Sequence, residues 1–110
     1  MDDQSKKVAV CISEAMDTFT ERNGTYGSTF LNFGKIMQVL YPNGLMIDID
    51  DVNGWNRIAI IMQIVTKLMR HTKEPGIPHI DSIHDVIVYA AMEEMLSTEA
   101  NEQDLKEMGL

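Results

Sequence analysis

Apolar residues recur every three or four positions along most of this chain, which is the spacing of amphipathic helices. The predicted helices, bounded by glycine, proline and capping residues, span about residues 7–24, 30–40, 52–71 and 81–96. Residues 42–51 alternate apolar residues with aspartates but have no partner strand elsewhere, so we expect an irregular connector there. The acidic stretch after residue 96 is expected to be a weakly ordered tail.

This pattern predicts an all-α fold, a compact bundle of about four main helices. We expect one helical domain over residues 1–110, with an ordered core at about 7–97. Short polar side chains precede three of the helices and are expected to cap them. These candidate caps are Ser28 or Thr29 for the second helix, Asp50 or Asp51 for the third, and Asp81 or Ser82 for the fourth.

The fourth predicted helix is unusually apolar but opens with two aspartates and a histidine. Asp81 and Asp85 are four residues apart and therefore stack on one face of a helix. Beyond them little polar surface remains, and a helix that is apolar on most sides belongs inside a bundle or in an interface between subunits. We therefore expect a homo-oligomer.

Composition narrows the classes of partner. The chain has 110 residues, 45% of them hydrophobic, and a net charge of -8, which argues against nonspecific binding to nucleic acid or to an anionic membrane. The single cysteine, Cys11, cannot form an internal disulfide and suits a reducing compartment. With no segment long enough to span a bilayer and no signal-peptide core, the expected location is the cytoplasm.

One candidate site is the segment that follows the first helix, with Arg22, Tyr26, Gly27 and Asn32. It could be a plain connector in which glycine supplies backbone freedom. Alternatively, an arginine, a tyrosine and glycine amides near a helix N-terminus could hold a phosphate or stack on a base.

A second candidate site lies between the third and fourth helices. Lys67 and Arg70 share a helix face and precede the loop that leads to Asp81. These cations could pair with Asp81 or Asp85, or bind ligand phosphates. The aspartates are also alternative magnesium ligands, although magnesium requires more oxygen ligands than two carboxylates supply. The three histidines lack the spacing of a zinc site.

These residues occur together in the order Arg22-x-x-x-Tyr26-Gly27-x-x-x-x-Asn32-Phe33, Lys67-x-x-Arg70 and Asp81-Ser82-x-x-Asp85-x-x-x-Tyr89. The combination resembles a family of small all-helical proteins of unknown function that phages and prophages encode. The resemblance covers about residues 12–95 and departs from the family pattern in the long connector and at Val88, where a glycine is common. It implies that Tyr89 belongs to the same site.

The chain is also distantly similar to the MazG-type all-α nucleoside triphosphate pyrophosphohydrolases. Those enzymes hold magnesium between a Glu-x-x-Glu pair on one helix and a Glu-x-x-Asp pair on the next. Here Lys67 and Arg70 stand where a carboxylate pair would be needed, which favours anion binding over magnesium chelation. Glu14 and Asp17 could supply the missing ligands.

Three functions fit these observations. The one we rank first is a phage-encoded, non-catalytic binder of a nucleotide-like, phosphate-bearing ligand, which could sequester a host defence signal. It needs no cofactor, catalytic residue or nucleic acid. The second is a magnesium-dependent nucleoside triphosphate pyrophosphohydrolase. The third is an acidic inhibitor that binds a basic surface of a host protein.

Overall fold

The structure is a computed structural model that describes residues 1–26 and 29–110, apart from the side chains of residues 24–29. It confirms the all-α fold, since these described residues contain helices and no strand. The helices are α1 (Asp3–Tyr26), the 3₁₀ turn Thr29–Leu31, α2 (Phe33–Leu40), α3 (Val52–His71) and α4 (Ile80–Glu107). They form two compact units, Met1–Leu31 and Asn32–Leu110. No described helix is both long and apolar enough to cross a membrane.

The first unit consists of α1 and the 3₁₀ turn. Helix α1 begins four residues earlier than predicted because the carboxylate of Asp2 accepts the backbone N–H of Ser5 at 2.7 Å. This hydrogen bond lowers the pKa of Asp2 below its ordinary value. Near the other end of the unit, the rings of Phe19 and Phe30 meet edge to face with centroids 6.3 Å apart.

In the second unit, α3 and α4 pack against each other as an antiparallel pair, and α2 touches α3 more lightly. Three polar contacts fix the register of the pair. Asn53 donates to the carbonyl of Leu96 at 3.1 Å, and Lys67 pairs with Asp85 at 3.1 Å. At the loop end, the backbone N–H of His79 donates to Nδ1 of His71 at 3.1 Å.

The start of α3 follows the prediction and the start of α4 does not. Asp51 caps α3 by accepting the N–H of Gly54 at 2.8 Å, as expected. Capping of α4 by Asp81 or Ser82 is wrong, because the helix begins at Ile80 and its cap is His79, whose Nδ1 accepts the N–H of Ser82 at 3.3 Å. The histidine reaches this N–H because Ser82 already lies in the first turn.

The second helix also begins differently from the prediction. Its N-cap is Asn32, which makes no side-chain capping bond, while Thr29 belongs to the 3₁₀ turn. The alternative cap, Ser28, lies outside the described residues. Between α2 and α3 the chain is irregular over residues 41–51, as expected for the connector.

Helix α4 continues well past residue 97, where a weakly ordered tail was expected. Within this extension Gln103 donates to Glu107 at 3.2 Å, and the hydroxyl of Thr98 bonds the carbonyl of Glu94 at 2.8 Å. The helix ends in a Schellman motif, in which Gly109 adopts a φ of 78° and donates to Lys106 while Leu110 donates to Leu105. Hydrogen bonds within the helix and this C-cap therefore order these residues, although their acidic composition predicted a weakly ordered tail.

Burial of apolar side chains is sparse in the described residues. Val65 of α3 is the buried apolar side chain, with 4% of its surface exposed. Large apolar side chains on every helix are exposed, so the compact packing expected of a bundle is limited to the contact of α3 with α4. A domain of this size normally buries well over half of the surface that its unfolded chain exposes.

Candidate functional site

The pair of Lys67 and Asp85 joins the C-terminal part of α3 to the first turns of α4. Its Nζ and Oδ2 atoms are 3.1 Å apart, which confirms the expected pairing with Asp85. The Lys67 side chain is 19% exposed and that of Asp85 is 43% exposed, so the ammonium is the more enclosed partner. A lysine ammonium has three donors, and this contact occupies one of them.

Arg70 lies one turn beyond Lys67 on α3 and is exposed. The register of the antiparallel pair, set by Lys67 with Asp85 and by His71 with His79, places Arg70 level with Asp81. Asp81 is also exposed. The end of the hairpin therefore carries two cations and two carboxylates at neighbouring levels.

On α4, residues 81, 85 and 89 follow one another at four-residue spacing and so share a side of the helix. Exposure decreases along this row, because Asp81 is exposed whereas Asp85 and Tyr89 are half-buried. Tyr89 is thus one turn deeper in the hairpin than Asp85. The structure joins Lys67 directly to Asp85, and the register places Arg70 and Asp81 one turn nearer the loop and Tyr89 one turn farther from it.

The remaining predicted site residues belong elsewhere in the chain. Arg22 is exposed near the end of α1, in the first unit. Tyr26 is the last residue of α1, but its side chain and all of Gly27 lie outside the described residues. Asn32 is the exposed first residue of the second unit. Their participation in a site with Lys67 and Arg70 stays a prediction.

Two histidines and a serine organise the loop beside this region. The Nδ1 atom of His71 accepts the backbone N–H of His79, and the Nδ1 atom of His79 lies 2.6 Å from the hydroxyl of Ser82. Ser82 is 1% exposed, so this contact satisfies a hydroxyl that has lost its water. Both rings therefore fix the turn between α3 and α4.

A second polar cluster, which the sequence reasoning missed, lies at the opposite end of the hairpin. Arg57 donates through Nε to the side-chain carbonyl of Asn53 at 2.6 Å, and Asn53 in turn holds the Leu96 carbonyl. Glu93 comes four residues after Tyr89 and three before Leu96, so helical spacing already indicated that it faces α3.

The carboxylate of Glu93 is poorly compensated. Its Oε2 atom is buried and has no hydrogen-bond partner among the described residues, while Oε1 accepts from Ser97 at 3.4 Å. Burial raises the pKa of Glu93, and the hydrogen bond from Ser97 and the charge of Arg57 oppose that rise. This carboxyl group therefore favours its neutral form more than an ordinary glutamate does.

An open cavity of about 870 Å³ lies near this cluster, between the connector and the last turns of α4. Arg57 is the one cation in its lining, and the carboxylates there include those of Asp48, Asp50, Glu99 and Asp104. Such a lining repels polyanions and attracts cations. No group of three or more histidine, cysteine, aspartate or glutamate side chains in the described part of the chain is arranged to hold a metal ion.

The two ends of the hairpin thus differ in chemistry. The loop end carries the cations Lys67 and Arg70 together with the carboxylates of Asp81 and Asp85. The other end is strongly acidic. In comparisons with known proteins, no family model matches this chain, and no curated protein or solved structure does so either.

Proposed function

We propose that the protein is a non-catalytic binder of a nucleotide-like, phosphate-bearing ligand, held at the loop end of the α3–α4 hairpin. The observation that carries this proposal is the Lys67–Asp85 pair, which holds a partly enclosed ammonium one turn from Arg70. Lys67 contributes donors with a fixed position, and Arg70 contributes a guanidinium able to bond a phosphate through two N–H groups. Tyr89, on the next turn of α4 after Asp85, is the group available to contact a base or sugar.

Fixing Lys67 in advance favours binding because a lysine side chain otherwise gives up considerable rotamer freedom when it holds a ligand. Asp85 lowers that entropic cost, but its own negative charge also repels a bound phosphate. Arg70 offsets this repulsion from the next turn of α3. The balance suits a ligand with one or two phosphate groups better than an extended polyanion, which the net charge of -8 would repel.

The resemblance to phage proteins suggests the biological setting. A phage-encoded protein in the host cytoplasm that binds a signalling nucleotide without destroying it would act as a sink, and so suppress a nucleotide-triggered defence. That role requires tight stoichiometric binding and no turnover. Arg22, Tyr26, Gly27 and Asn32 stay ligand contacts that the sequence alone predicts.

Isothermal titration calorimetry against a panel of mononucleotides, nucleoside triphosphates and cyclic nucleotides tests the proposal. Binding by at least one panel member is expected, and Arg70→Ala should weaken it about tenfold or more, which corresponds to loss of one charge-assisted contact. Lys35→Ala, at an exposed lysine on α2, is the matched control and should bind as the wild type does. Absence of binding across the panel by folded protein would reject the proposal.

A pyrophosphate-release assay with magnesium distinguishes the MazG-like alternative, in which Asp81 and Asp85 would be metal ligands. If the protein releases pyrophosphate in the presence of magnesium and Asp85→Ala abolishes this release, the hydrolase function is correct and the non-catalytic binding function is not.

The acidic-inhibitor alternative is favoured by the acidic lining of the 870 Å³ cavity. This alternative would be correct if no nucleotide of the panel bound and the protein formed a stoichiometric complex with one basic host protein. That complex should be lost on charge reversal at Asp104 and unchanged in Arg70→Ala.

A further inference from the structure

Asparagine is followed by glycine three times in the sequence, at residues 23–24, 43–44 and 53–54. In such a pair the backbone nitrogen of the glycine can attack Cγ of the asparagine, because glycine has no side chain to hinder the approach. The attack requires an asparagine side chain that is free to rotate and a backbone that is not held in a helix. The structure distinguishes the three pairs by these two conditions.

The pair Asn43-Gly44 meets both conditions. It is exposed and lies in the turn between α2 and α3, outside any helix. The side chain of Asn43 forms no hydrogen bond with another described residue. A backbone hydrogen bond from Gly44 to the carbonyl of Tyr41, 3.0 Å long, closes the turn, and an exposed bond of this kind opens readily. No other described segment lies within 4 Å of the position that a Cβ on Gly44 would take, so the turn has room to move.

The pair Asn53-Gly54 meets neither condition. The Nδ2 atom of Asn53 donates to the carbonyl of Leu96 at 3.1 Å, and its Oδ1 atom accepts from Arg57 at 2.6 Å. The backbone nitrogen of Gly54, which would have to attack, is buried and donates its N–H to the carboxylate of Asp51 at 2.8 Å. Both residues belong to α3, and helical dihedral angles prevent closure of a ring between them.

The pair Asn23-Gly24 is helical as well. Asn23 is half-buried within α1, which extends to Tyr26, so its backbone is held in the same way. We propose that Asn43 is a site of spontaneous deamidation, and that it is the one of the three pairs that reacts in the folded protein.

The reaction needs only water. The nitrogen of Gly44 loses its proton and bonds to Cγ of Asn43, and the side-chain amide leaves as ammonia. In the resulting five-membered succinimide, that nitrogen is bonded to both carbonyl carbons of residue 43. Water then breaks one of these two bonds. Breaking the bond to Cγ gives aspartate, and breaking the bond to the backbone carbon gives isoaspartate, in which the main chain runs through the former side chain.

The modification changes the charge of the connector. Either product adds one carboxylate to a chain whose net charge is already -8. The same connector contributes Asp48 and Asp50 to the lining of the acidic cavity. The isoaspartate form also adds a methylene group to the main chain between α2 and α3. The charge and length of this segment therefore depend on the age of the molecule.

Incubation of the folded protein at 37 °C, at pH 7 and at pH 9, followed by tryptic peptide mapping against a fresh sample, tests the proposal. Cleavage after Lys35 and Arg57 gives a peptide that contains both Asn43 and Asn53, so fragmentation of this peptide assigns the modified residue. Asn43 should gain one mass unit and yield separate aspartate and isoaspartate forms, faster at pH 9 because the attacking nitrogen must lose a proton. Asn53 should react more slowly by about tenfold or more, since two side-chain hydrogen bonds must open first.

Two controls separate the effect of the fold from that of the sequence. Asn43→Gln should keep its mass, because the longer side chain would have to close a six-membered ring, which forms much more slowly. In concentrated urea Asn23, Asn43 and Asn53 should react at similar rates, since no helix or side-chain contact then holds them. Equal rates at Asn43 and Asn53 in the folded protein overturn the proposal, and so does a ratio of these rates that urea leaves unchanged.

Discussion

Gly54 donates its backbone N–H to the carboxylate of Asp51 at 2.8 Å, and the absence of a side chain on Gly54 leaves room for that carboxylate. A Cβ atom at this position would collide with the Asp51 carboxylate and come within 3.1 Å of a methyl group of Ile47. Gly54 is therefore required by the cap of α3 and by the connector that packs over it. Its φ is not positive, so the requirement is one of space.

Gly54→Ala should destabilise the protein by about 1–3 kcal/mol, through loss of the cap and crowding against Ile47. Gly34→Ala is the matched control, because nothing lies within 4 Å of the added Cβ and Gly34 is in a helix. There alanine should be neutral or stabilise by up to about 1 kcal/mol. Urea denaturation of both variants measures the difference, and equal stabilities would contradict the explanation.

Capping by His79 predicts a second stability effect. His79→Ala removes the acceptor for the Ser82 N–H and the partner of the buried Ser82 hydroxyl, at a cost of about 1–3 kcal/mol. His79→Asp restores an acceptor of the kind that N-caps prefer, and should recover most of that loss. Thermal denaturation followed by circular dichroism at 222 nm compares them. If both substitutions cost the same, the histidine is not acting as a cap.

Glu93 predicts a dependence of stability on pH. Because burial raises the pKa of this carboxyl group in the folded state, the folded protein binds the proton more tightly than the unfolded chain does. Its contribution to stability is therefore full below the ordinary glutamate pKa of 4.5 and is lost as pH rises through the folded-state pKa. Glu93→Gln, which stays neutral, should be more stable than the wild type at pH 7.

The measurement is a urea denaturation series from pH 3 to pH 8 on the wild type and Glu93→Gln. The advantage of the glutamine should shrink as pH falls towards 4. Glu94→Gln, at an exposed neighbouring glutamate, is the control and should show no such trend. A glutamine variant that is less stable than the wild type at pH 7 would mean that the ionised carboxylate is favourably paired.

The sequence predicted the third helix closely, at about residues 52–71, because a cap, an apolar period and a basic end coincide there. It failed at the start of α4, since histidine is not among the preferred capping residues and aspartate and serine are present nearby. The helical order of the acidic end of α4 was also not predicted, because the Schellman turn at Gly109 follows a stretch with little apolar periodicity.

The candidate site was likewise predicted only in part. Helical spacing predicted Asp81 or Asp85 as the partner of the cations. The register of the hairpin selects Asp85 as the partner of Lys67. Arg57 and Glu93 were not among the predicted site residues, although helical spacing places both on inward sides of their helices. Contacts within one helix follow from spacing, whereas contacts between helices require the register, which depends on the loop at His71 and His79.

A substitution at Asp85 distinguishes a purely structural role of the Lys67–Asp85 ion pair from a role in ligand binding. As structure alone, a half-exposed pair contributes no more than about 1 kcal/mol, and salt weakens it. Removing a carboxylate beside a phosphate site should by itself strengthen anion binding, because one repulsion disappears.

Asp85→Asn should nevertheless bind the nucleotide ligand more weakly if Asp85 positions Lys67, since the loss of a fixed ammonium outweighs the relieved repulsion. Asp81→Asn is the control that removes the same charge without touching Lys67, and it should bind as tightly as the wild type or more tightly. Calorimetry at two salt concentrations measures both variants. Tighter binding by Asp85→Asn would show that the carboxylate only repels the ligand and that Lys67 needs no partner.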